Sequence, residues 1–186
     1  MILSDSTLIE LNKRYDIISP FCEEKISKSS ENIDIPSKGL SCCGYDCTLA
    51  PEFKLAKKTD KTLDILIKNT DDWFEHYENK KSIVIPSGGF VLGRTNEYFK
   101  IPNFLTASLY CKSTLARMGL FLPPTISEPG WEGHLVVEIV NLSPFPVEIH
   151  SDVGIGQMIF FQLSSPTKNT YDGKYQKQTG ITCAKN

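Results

Sequence analysis

Short apolar runs separated by turn residues dominate the second half of the chain. From residue 82 onward, β-branched and aromatic residues alternate with Pro, Gly, Asn and Asp. The pattern predicts a hairpin-like pair of strands at 82–86 and 90–94, turning at Gly88 and Gly89. It predicts further strands at 97–101, 105–110, 120–122, 134–141, 147–150 and 155–163. Roughly ten short strands at this spacing indicate an all-β sandwich or barrel rather than alternating strands and helices.

Two short helices interrupt the strand pattern. Residues 4–14 predict an N-terminal helix, with Ser4 or Asp5 as its N-cap and a narrow apolar face. Residues 113–118 predict one or two helical turns, with Ser113 as the N-cap.

The rest of the first half carries a weaker pattern. Residues 40–49 predict a buried strand in which Gly44 allows another part of the backbone to come close. Residues 63–68 alternate between apolar and polar positions and predict one more strand. Residues 23–39 are polar and predict a surface loop.

Composition and charge restrict the classes of protein that fit. The chain has 186 residues, with 20 Lys and Arg against 22 Asp and Glu, and a net charge of −2. Its length suits one domain over residues 1–186, and its charge argues against a protein that coats nucleic acid. No apolar run is long enough for a membrane span, and no signal peptide is visible. We therefore predict a cytoplasmic protein without nucleic-acid or membrane partners.

Neither the cysteines nor the histidines form a metal-binding pattern. The six cysteines include no Cys-x-x-Cys pair, which favours reduced thiols. Cys42, Cys43 and Cys47 lie close in sequence but have no histidine nearby. The zinc nucleobase-deaminase pattern, His-x-Glu followed by Pro-Cys-x-x-Cys, is absent. A base deaminase with this sequence would work without zinc.

Glu138 is a carboxylate in the middle of an apolar strand. Neither face of residues 134–141 is a clean polar exterior, so the strand is predicted to be buried on both sides. Burial would raise the pKa of Glu138 and suit it to general-base catalysis. The alternative is a structural carboxylate paired with Arg117 or Arg94.

Two other segments carry candidate chemistry. Residues 112–117 offer two cations, two hydroxyls and a run of backbone N–H groups that could bind phosphate, although an ordinary helical turn would look the same. Residues 164–186 are polar and either form a disordered tail or fold over a ligand as a lid.

The motifs along the chain resemble those of the dCTP deaminases, which are members of the trimeric dUTPase-like superfamily. The resemblance covers nearly the whole chain and is carried by the following motifs, in order: Ile18-Ser19-Pro20-Phe21, Gly44-Tyr45-Asp46, Arg94-Thr95-Asn96-Glu97-Tyr98-Phe99, Lys112-Ser113-Thr114-x-Ala116-Arg117, Glu128-Pro129-Gly130-Trp131-Glu132-Gly133-His134 through Glu138, Gly156-Gln157, and Gly173-Lys174-Tyr175-Gln176-x-Gln178-x-Gly180.

The resemblance implies an all-β fold, a distorted β-barrel or β-clip of the dUTPase-like type with a short N-terminal helix and a short central helix. It implies a homotrimer with active sites between subunits. The implied reaction is zinc-independent deamination of dCTP to dUTP and ammonia, which supplies the dUMP and dTTP pathway. Mg²⁺ would arrive with the triphosphate, no residue would serve as a dedicated metal ligand, and dTTP is suggested as a feedback inhibitor.

The resemblance also implies residue roles. Glu138 matches the general base, and Ser113 and Arg117 match residues that position the water, the base and the phosphates. The implied substrate-binding residues are Lys112, Ser113, Thr114, Leu115, Ala116, Arg117, Val136, Val137, Glu138, Gln157, Tyr171, Lys174 and Gln178. The last of these belong to the lid, residues 164–186.

Two positions depart from the family pattern. Lys112 stands where many members have Arg, and Glu128 stands where dUTPases carry the Asp that activates water. The longer Glu128 side chain weakens a dUTPase interpretation. Two alternatives stay open: a bifunctional enzyme that also cleaves the triphosphate to dUMP and pyrophosphate, and a non-catalytic nucleotide-binding trimer.

Overall fold

A computed structural model describes residues 1–67 and 69–185 of the chain. Its helices are α1 (Asp5–Tyr15), α2 (Ser113–Arg117) and a 3-10 turn at Asp71–Trp73. The strands are β1 (Ile18–Ser19), β2 (Lys25–Lys28), β3 (Asp34–Leu40), β4 (Tyr45–Thr48), β5 (Glu52–Ala56), β6 (Phe74–Glu78), β7 (Ser82–Ile85), β8 (Phe90–Lys100), β9 (Leu105–Cys111), β10 (Leu120–Phe121), β11 (Ile126–Ser127), β12 (Glu132–Asn141), β13 (Val147–His150) and β14 (Gly154–Gln162).

The strands form two six-stranded sheets and one two-stranded sheet. The first sheet has the order β10-β12-β8-β5-β6, with β1 paired to β8, and the second has the order β11-β9-β14-β4-β3-β2. Strands β13 and β7 form the small third sheet. The prediction of an all-β fold with a short N-terminal and a short central helix is confirmed. No helix in the described part of the chain is long and apolar enough to cross a membrane.

The apolar side chains of the described residues form two buried clusters. The larger cluster lies between the main sheets and includes Phe53, Phe99 and Phe160, all almost fully buried. The smaller cluster consists of Phe74, Leu92, Val136, Ile181 and Cys183. Because Ile181 and Cys183 come from the C-terminal tail, the smaller cluster fastens that tail to strands β8 and β12.

Helix α1 begins as its sequence predicts. Ser4 is the N-cap, and its Oγ accepts a hydrogen bond from the backbone N–H of Thr7. Leu8 is the fully buried residue of the narrow apolar face. The cap of α2 differs from the prediction, because Ser113 is the first helical residue and Lys112 occupies the N-cap position without a side-chain hydrogen bond.

The predicted hairpin between residues 82–86 and 90–94 is wrong in its pairing. Strand β7 pairs with β13, whereas β8 pairs with β12, β5 and β1. Strand β8 also runs without a break through the two strands predicted at 90–94 and 97–101. Turn residues show where the chain reverses, but they do not identify the strand with which each segment will pair.

Three predictions for the first half need correction. The predicted loop at residues 23–39 contains β2 and most of β3, whose polar residues lie at the exposed edge of the second sheet. Residues 63–67 form no strand, and Lys68 lies outside the described residues. Residues 40–49 are a turn followed by β4. Gly44 lies in that turn with φ +89°, and a Cβ there would come within 2.3 Å of the carbonyl oxygen of Met158, so the predicted close approach is present.

A bulge in β8 changes its register against β12. His134 pairs with Tyr98, but Val136 already pairs with Arg94. Thr95 fills the irregularity: its Oγ1 donates to the Glu97 carbonyl at 2.7 Å and accepts from Leu135 N–H at 3.0 Å. The hydroxyl thereby replaces ladder hydrogen bonds that the bulge removes, and the register of β12 beyond the bulge follows from it.

Candidate active site

A cavity of about 390 Å³ lies between β12, the segment 125–131 and the C-terminal tail. Its walls are largely aromatic and aliphatic, and the carboxylates among its described lining residues are those of Glu128 and Glu138. The aromatic side chains that line it are Phe74, Phe90, Trp131, Tyr171 and Tyr175. Predominantly apolar walls with a few polar groups are typical of small-molecule sites.

Glu138 reaches this cavity from the middle of β12, where it pairs in register with Leu92 of β8. The side chain is half-buried beside the smaller apolar cluster, and this burial raises the pKa of Glu138 above its ordinary value. Arg94, one of the two partners considered from sequence, pairs instead with Glu52. Within the described part of the chain, Glu138 has no ion pair. A carboxylate whose pKa is raised in this way is suited to accept and return a proton.

The turn at Glu128 forms another wall of the cavity. Trp131 N–H donates to the Glu128 carbonyl at 3.0 Å, and the buried Trp131 ring donates from Nε1 to the Tyr175 carbonyl at 2.9 Å. Gly130 has φ +86°, and a Cβ there would lie 2.4 Å from Cβ of Thr170. The turn therefore needs glycine at this position both for its backbone conformation and for contact with the tail.

The tail follows β12 closely from residue 171 onward. Gln178 exchanges two hydrogen bonds with His134: the carbonyl of Gln178 accepts from His134 N–H, and its Nε2 donates to the His134 carbonyl, each at 2.9 Å. Gln176 Oε1 accepts from Glu132 N–H at 2.9 Å. Near the end, Thr70 N–H donates to the Ala184 carbonyl at 3.1 Å. These contacts place tail residues Tyr171 and Gln178 in the cavity wall.

The cavity brings together four of the predicted residues: Val136, Glu138, Tyr171 and Gln178. The other predicted residues do not line it: Lys112, Ser113, Thr114, Leu115, Ala116, Arg117, Val137, Gln157 and Lys174. Val137 points into the larger core on the opposite face of β12, and Leu115 is buried in the same core. Lys174 holds its ammonium 5.5 Å from the centroid of the Tyr175 ring.

The predicted phosphate segment lies at the surface. Ser113, Thr114, Ala116 and Arg117 are exposed. Lys112, in contrast, is largely buried, with its Nζ 2.6 Å from Asp46 Oδ2 and 3.0 Å from Ser37 Oγ. Gln157 pairs with Asp46 across β14 and β4, and its Nε2 donates to the Cys43 carbonyl at 2.8 Å.

Sequence reasoning missed several cavity residues. Trp131, Tyr175 and Ser127 line the cavity, yet no role was predicted for them. The signal for Trp131 is its position directly after Pro129 and Gly130, in a turn that leads into the strand of Glu138. Ser127 carries no such signal, because its burial depends on how β11 pairs with β9.

Comparisons with known proteins identify the family. The family model described as dCTP deaminase-like matches residues 2–163. The chain is 38% identical to the dCTP deaminase of Campylobacter lari over 186 residues, covering 96% of this chain and 95% of that one. It is 36% identical to the dCTP deaminase of Acinetobacter baylyi over 188 residues, covering 99% and 98%.

The chain belongs to the dCTP deaminase-like family. A crystal structure of 2'-deoxycytidine 5'-triphosphate deaminase from Agrobacterium tumefaciens supports the fold, with a TM-score of 0.61 at 17% identity. The match covers 86% of this chain and 46% of that longer one. The family predicted from the motifs is thus confirmed, and the family match ends at residue 163, just before the tail that lines the cavity.

Proposed function

We propose that this protein hydrolyses dCTP to dUTP and ammonia, with Glu138 as the general base. The observation that carries the proposal is a half-buried carboxylate with a raised pKa in the wall of an apolar cavity. The cavity volume of about 390 Å³ lies in the range of small-molecule sites. The relatives named dCTP deaminase, which align over nearly the whole chain, support this substrate and reaction.

The chemistry requires one group that moves a proton from water to nitrogen. Glu138 would take a proton from water as the water oxygen forms a bond to C4 of cytosine. The same carboxylic acid would then give that proton to the exocyclic amine, and ammonia would leave as the C4–N4 bond breaks. The second proton of the water would move from the C4 hydroxyl to N3, which forms the C4 carbonyl and the N3–H of uracil. A carboxyl group whose pKa is raised by burial can serve in both steps.

The triphosphate is proposed to enter as its Mg²⁺ complex. Mg²⁺ prefers oxygen ligands, keeps several waters and is commonly held through substrate phosphates with one or two carboxylates. The described residues include no cluster of His, Cys, Asp or Glu that could hold the ion by itself, so the phosphates and water would supply most of its ligands. When bound, the ion would neutralise part of the charge of the phosphates.

We further propose that the active site is completed by a neighbouring subunit in a homotrimer. Ser113 and Arg117 are exposed and do not line the cavity of their own chain, so they are free to serve another. Exposed apolar side chains also occur directly after α2, on β10 and in the segment after β12: Met118, Phe121, Leu142 and Phe145. An exposed apolar patch of this kind is typical of a protein interface.

The tail, residues 164–186, is proposed to act as a lid over the bound nucleotide. Tyr171 and Gln178 already form part of the cavity wall. Lys174 lies in the same segment and would supply a cation for the phosphates. In this proposal Gln157 contacts the nucleotide from the other subunit, together with residues 112–117.

Product analysis tests the proposed function. Purified protein is treated with EDTA, returned to Mg²⁺ and incubated with dCTP, and the nucleotides are resolved by anion-exchange chromatography while ammonia is measured separately. We expect dUTP and ammonia in equal amounts. Formation of dUMP and pyrophosphate would favour the bifunctional alternative, for which Glu128 would be the candidate second base. Binding of dCTP without any product would overturn the enzymatic proposal and leave a nucleotide-binding trimer.

A further inference from the structure

Ser127 is a buried serine without a hydrogen-bond partner. The residue is 4% exposed, and its Oγ is the one buried side-chain oxygen or nitrogen among residues 1–67 and 69–185 that finds no partner. A buried hydroxyl that makes no hydrogen bond costs free energy, so most such groups in folded proteins are satisfied. Ser127 also lines the cavity that contains Glu138.

Other hydroxyls near Ser127 in the same sheet do have hydrogen-bond partners. Two neighbouring hydroxyls on β9 are satisfied: Thr106 Oγ1 donates to the Ser127 carbonyl at 3.0 Å, and Ser108 Oγ donates to the Thr125 carbonyl at 2.9 Å. Ile126, the other residue of β11, is 71% exposed. Strand alternation therefore turns the apolar residue outward and the polar residue inward, the reverse of the usual arrangement.

The charges around the cavity restrict what Ser127 could bind. Among the described residues that line it, none is Lys, Arg or His, and the charged ones are Glu128 and Glu138. Phosphate groups would be repelled from this part of the site by the two carboxylates. The nucleoside part of a nucleotide carries neutral donors and acceptors, and a hydroxyl can serve as either.

We propose that Ser127 Oγ is a substrate-binding group that hydrogen-bonds the nucleoside part of the bound nucleotide. This inference rests on the proposed function of the site. Its partner would be either the carbonyl oxygen of the cytosine ring, to which the hydroxyl donates, or the 3'-hydroxyl of deoxyribose, from which it accepts. In this proposal Ser127 Oγ has no hydrogen-bond partner in the free protein and gains one when the nucleotide binds.

The substitution Ser127→Ala tests the proposal through two measurements, the melting temperature of the free protein and the KM for dCTP. The melting temperature of the nucleotide-free protein should be unchanged or higher, because the removed hydroxyl has no partner to lose. The KM for dCTP should rise about threefold to tenfold, the effect of one net hydrogen bond, while kcat stays within about twofold.

Ser108→Ala is the matched control. Ser108 is equally buried and lies on the neighbouring strand, but its hydroxyl already has a partner. Its loss should lower the melting temperature and leave the KM for dCTP nearly unchanged. If Ser127→Ala instead behaves like this control, or leaves both quantities unchanged, the inference is wrong.

Binding of 2',3'-dideoxy-CTP separates the two candidate partners. If variant and wild type bind this analogue with equal dissociation constants, the partner is the 3'-hydroxyl that the analogue lacks. If the variant still binds the analogue more weakly, the partner is on the base. Failure of the proposed function would appear in the wild-type protein as absent turnover, whereas failure of the Ser127 inference would appear only in the comparison with the variant.

Discussion

Lys112 Nζ lies 2.6 Å from Asp46 Oδ2, and the two side chains are only 14% and 2% exposed. Ser37 completes the group, since its Oγ donates to Asp46 at 2.7 Å and accepts from Lys112 at 3.0 Å. The pair joins the end of β9 to β4 across the second sheet. A residue predicted from the resemblance to bind phosphate is therefore also a partner in a buried ion pair.

We expect Lys112→Met to lower the free energy of unfolding by about 3–5 kcal/mol, because the Asp46 carboxylate would be left buried without its cation. Urea unfolding monitored by tryptophan fluorescence measures this change. The exposed Arg117→Met variant is the control, for which the change should stay within about 0.5 kcal/mol. Unchanged stability of Lys112→Met together with a higher KM for dCTP would mean that Lys112 acts on the phosphates rather than in the fold.

Glu138→Gln should reduce kcat by about 100-fold to 10,000-fold while dCTP binding is largely retained, because the amide keeps the size of the side chain but cannot accept the proton from water. Ammonia release gives kcat, and isothermal titration calorimetry gives the dissociation constant. Glu148→Gln on the exposed side of β13 is the control and should retain full activity. Near-normal turnover by Glu138→Gln would contradict the assignment of the base.

The same residue should determine the acid side of the pH profile of kcat. Burial raises the pKa of Glu138, so the carboxylate form required for catalysis is lost at a higher pH than for an exposed glutamate. In the wild type, kcat should therefore fall as the pH decreases, and the midpoint of this fall should lie above the ordinary pKa of a glutamate.

Glu97 should make the stability of the protein decrease with rising pH. Burial raises the pKa of Glu97 to about 7 from 4.5, although Thr48 donates hydrogen bonds to its carboxylate. Between these values the folded protein keeps a proton that the unfolded chain has released. The stabilising contribution of Glu97 to the free energy of unfolding is complete below pH 4.5 and is lost as the pH rises through about 7. The full change is on the order of 3 kcal/mol.

Glu97→Gln removes this titration. Thermal unfolding from about pH 5 to about pH 8 should show a flatter dependence in the variant than in the wild type. Glu148→Gln again serves as the control, because the side chain is exposed. Parallel pH dependences for wild type and Glu97→Gln would show that Glu97 does not change its protonation on unfolding.

Ile181→Ala should loosen the tail without unfolding the main sheets. Ile181 is 7% exposed in the smaller cluster, so its truncation should cost about 2–5 kcal/mol of tail docking. Trypsin cleavage after Lys174 and Lys177 should become faster, and the KM for dCTP should rise. Ile33→Ala, at a 58% exposed position, is the control and should leave both quantities unchanged. Equal cleavage rates in the two variants would contradict a docking role for Ile181.

Local signals account for the parts of the fold that were predicted correctly. Ser4 caps α1 through its own hydroxyl, and the strand β13 has the predicted bounds because turn residues lie on both sides of it. The pairing of β7 with β13 rather than β8 depends on residues about 60 positions apart, which periodicity does not report. The polar strands β2 and β3 were missed because an exposed edge needs no apolar face.

The candidate site was predictable to a similar degree. Glu138 could be identified from the sequence because an acidic residue is unusual in the middle of an apolar strand. Only the resemblance predicted that Val136 and Glu138 would lie in one site with Gln178, because some 40 residues separate Gln178 from them along the chain. The Lys112 pair with Asp46 and the unpartnered Ser127 could not be predicted, because both depend on the neighbours that a strand acquires from distant sequence.

The order β10-β12-β8-β5-β6 has a consequence for the chain as it leaves the ribosome. Strand β8 emerges after β5 but well before β12, so one long edge of this strand stays unpaired while the next 30 or so residues are made. Unpaired strand edges recruit other chains. Synthesis of this protein in a heterologous host should therefore depend on chaperones and on a slow rate of expression, even though the finished chain pairs that edge with β12 on both sides of the bulge.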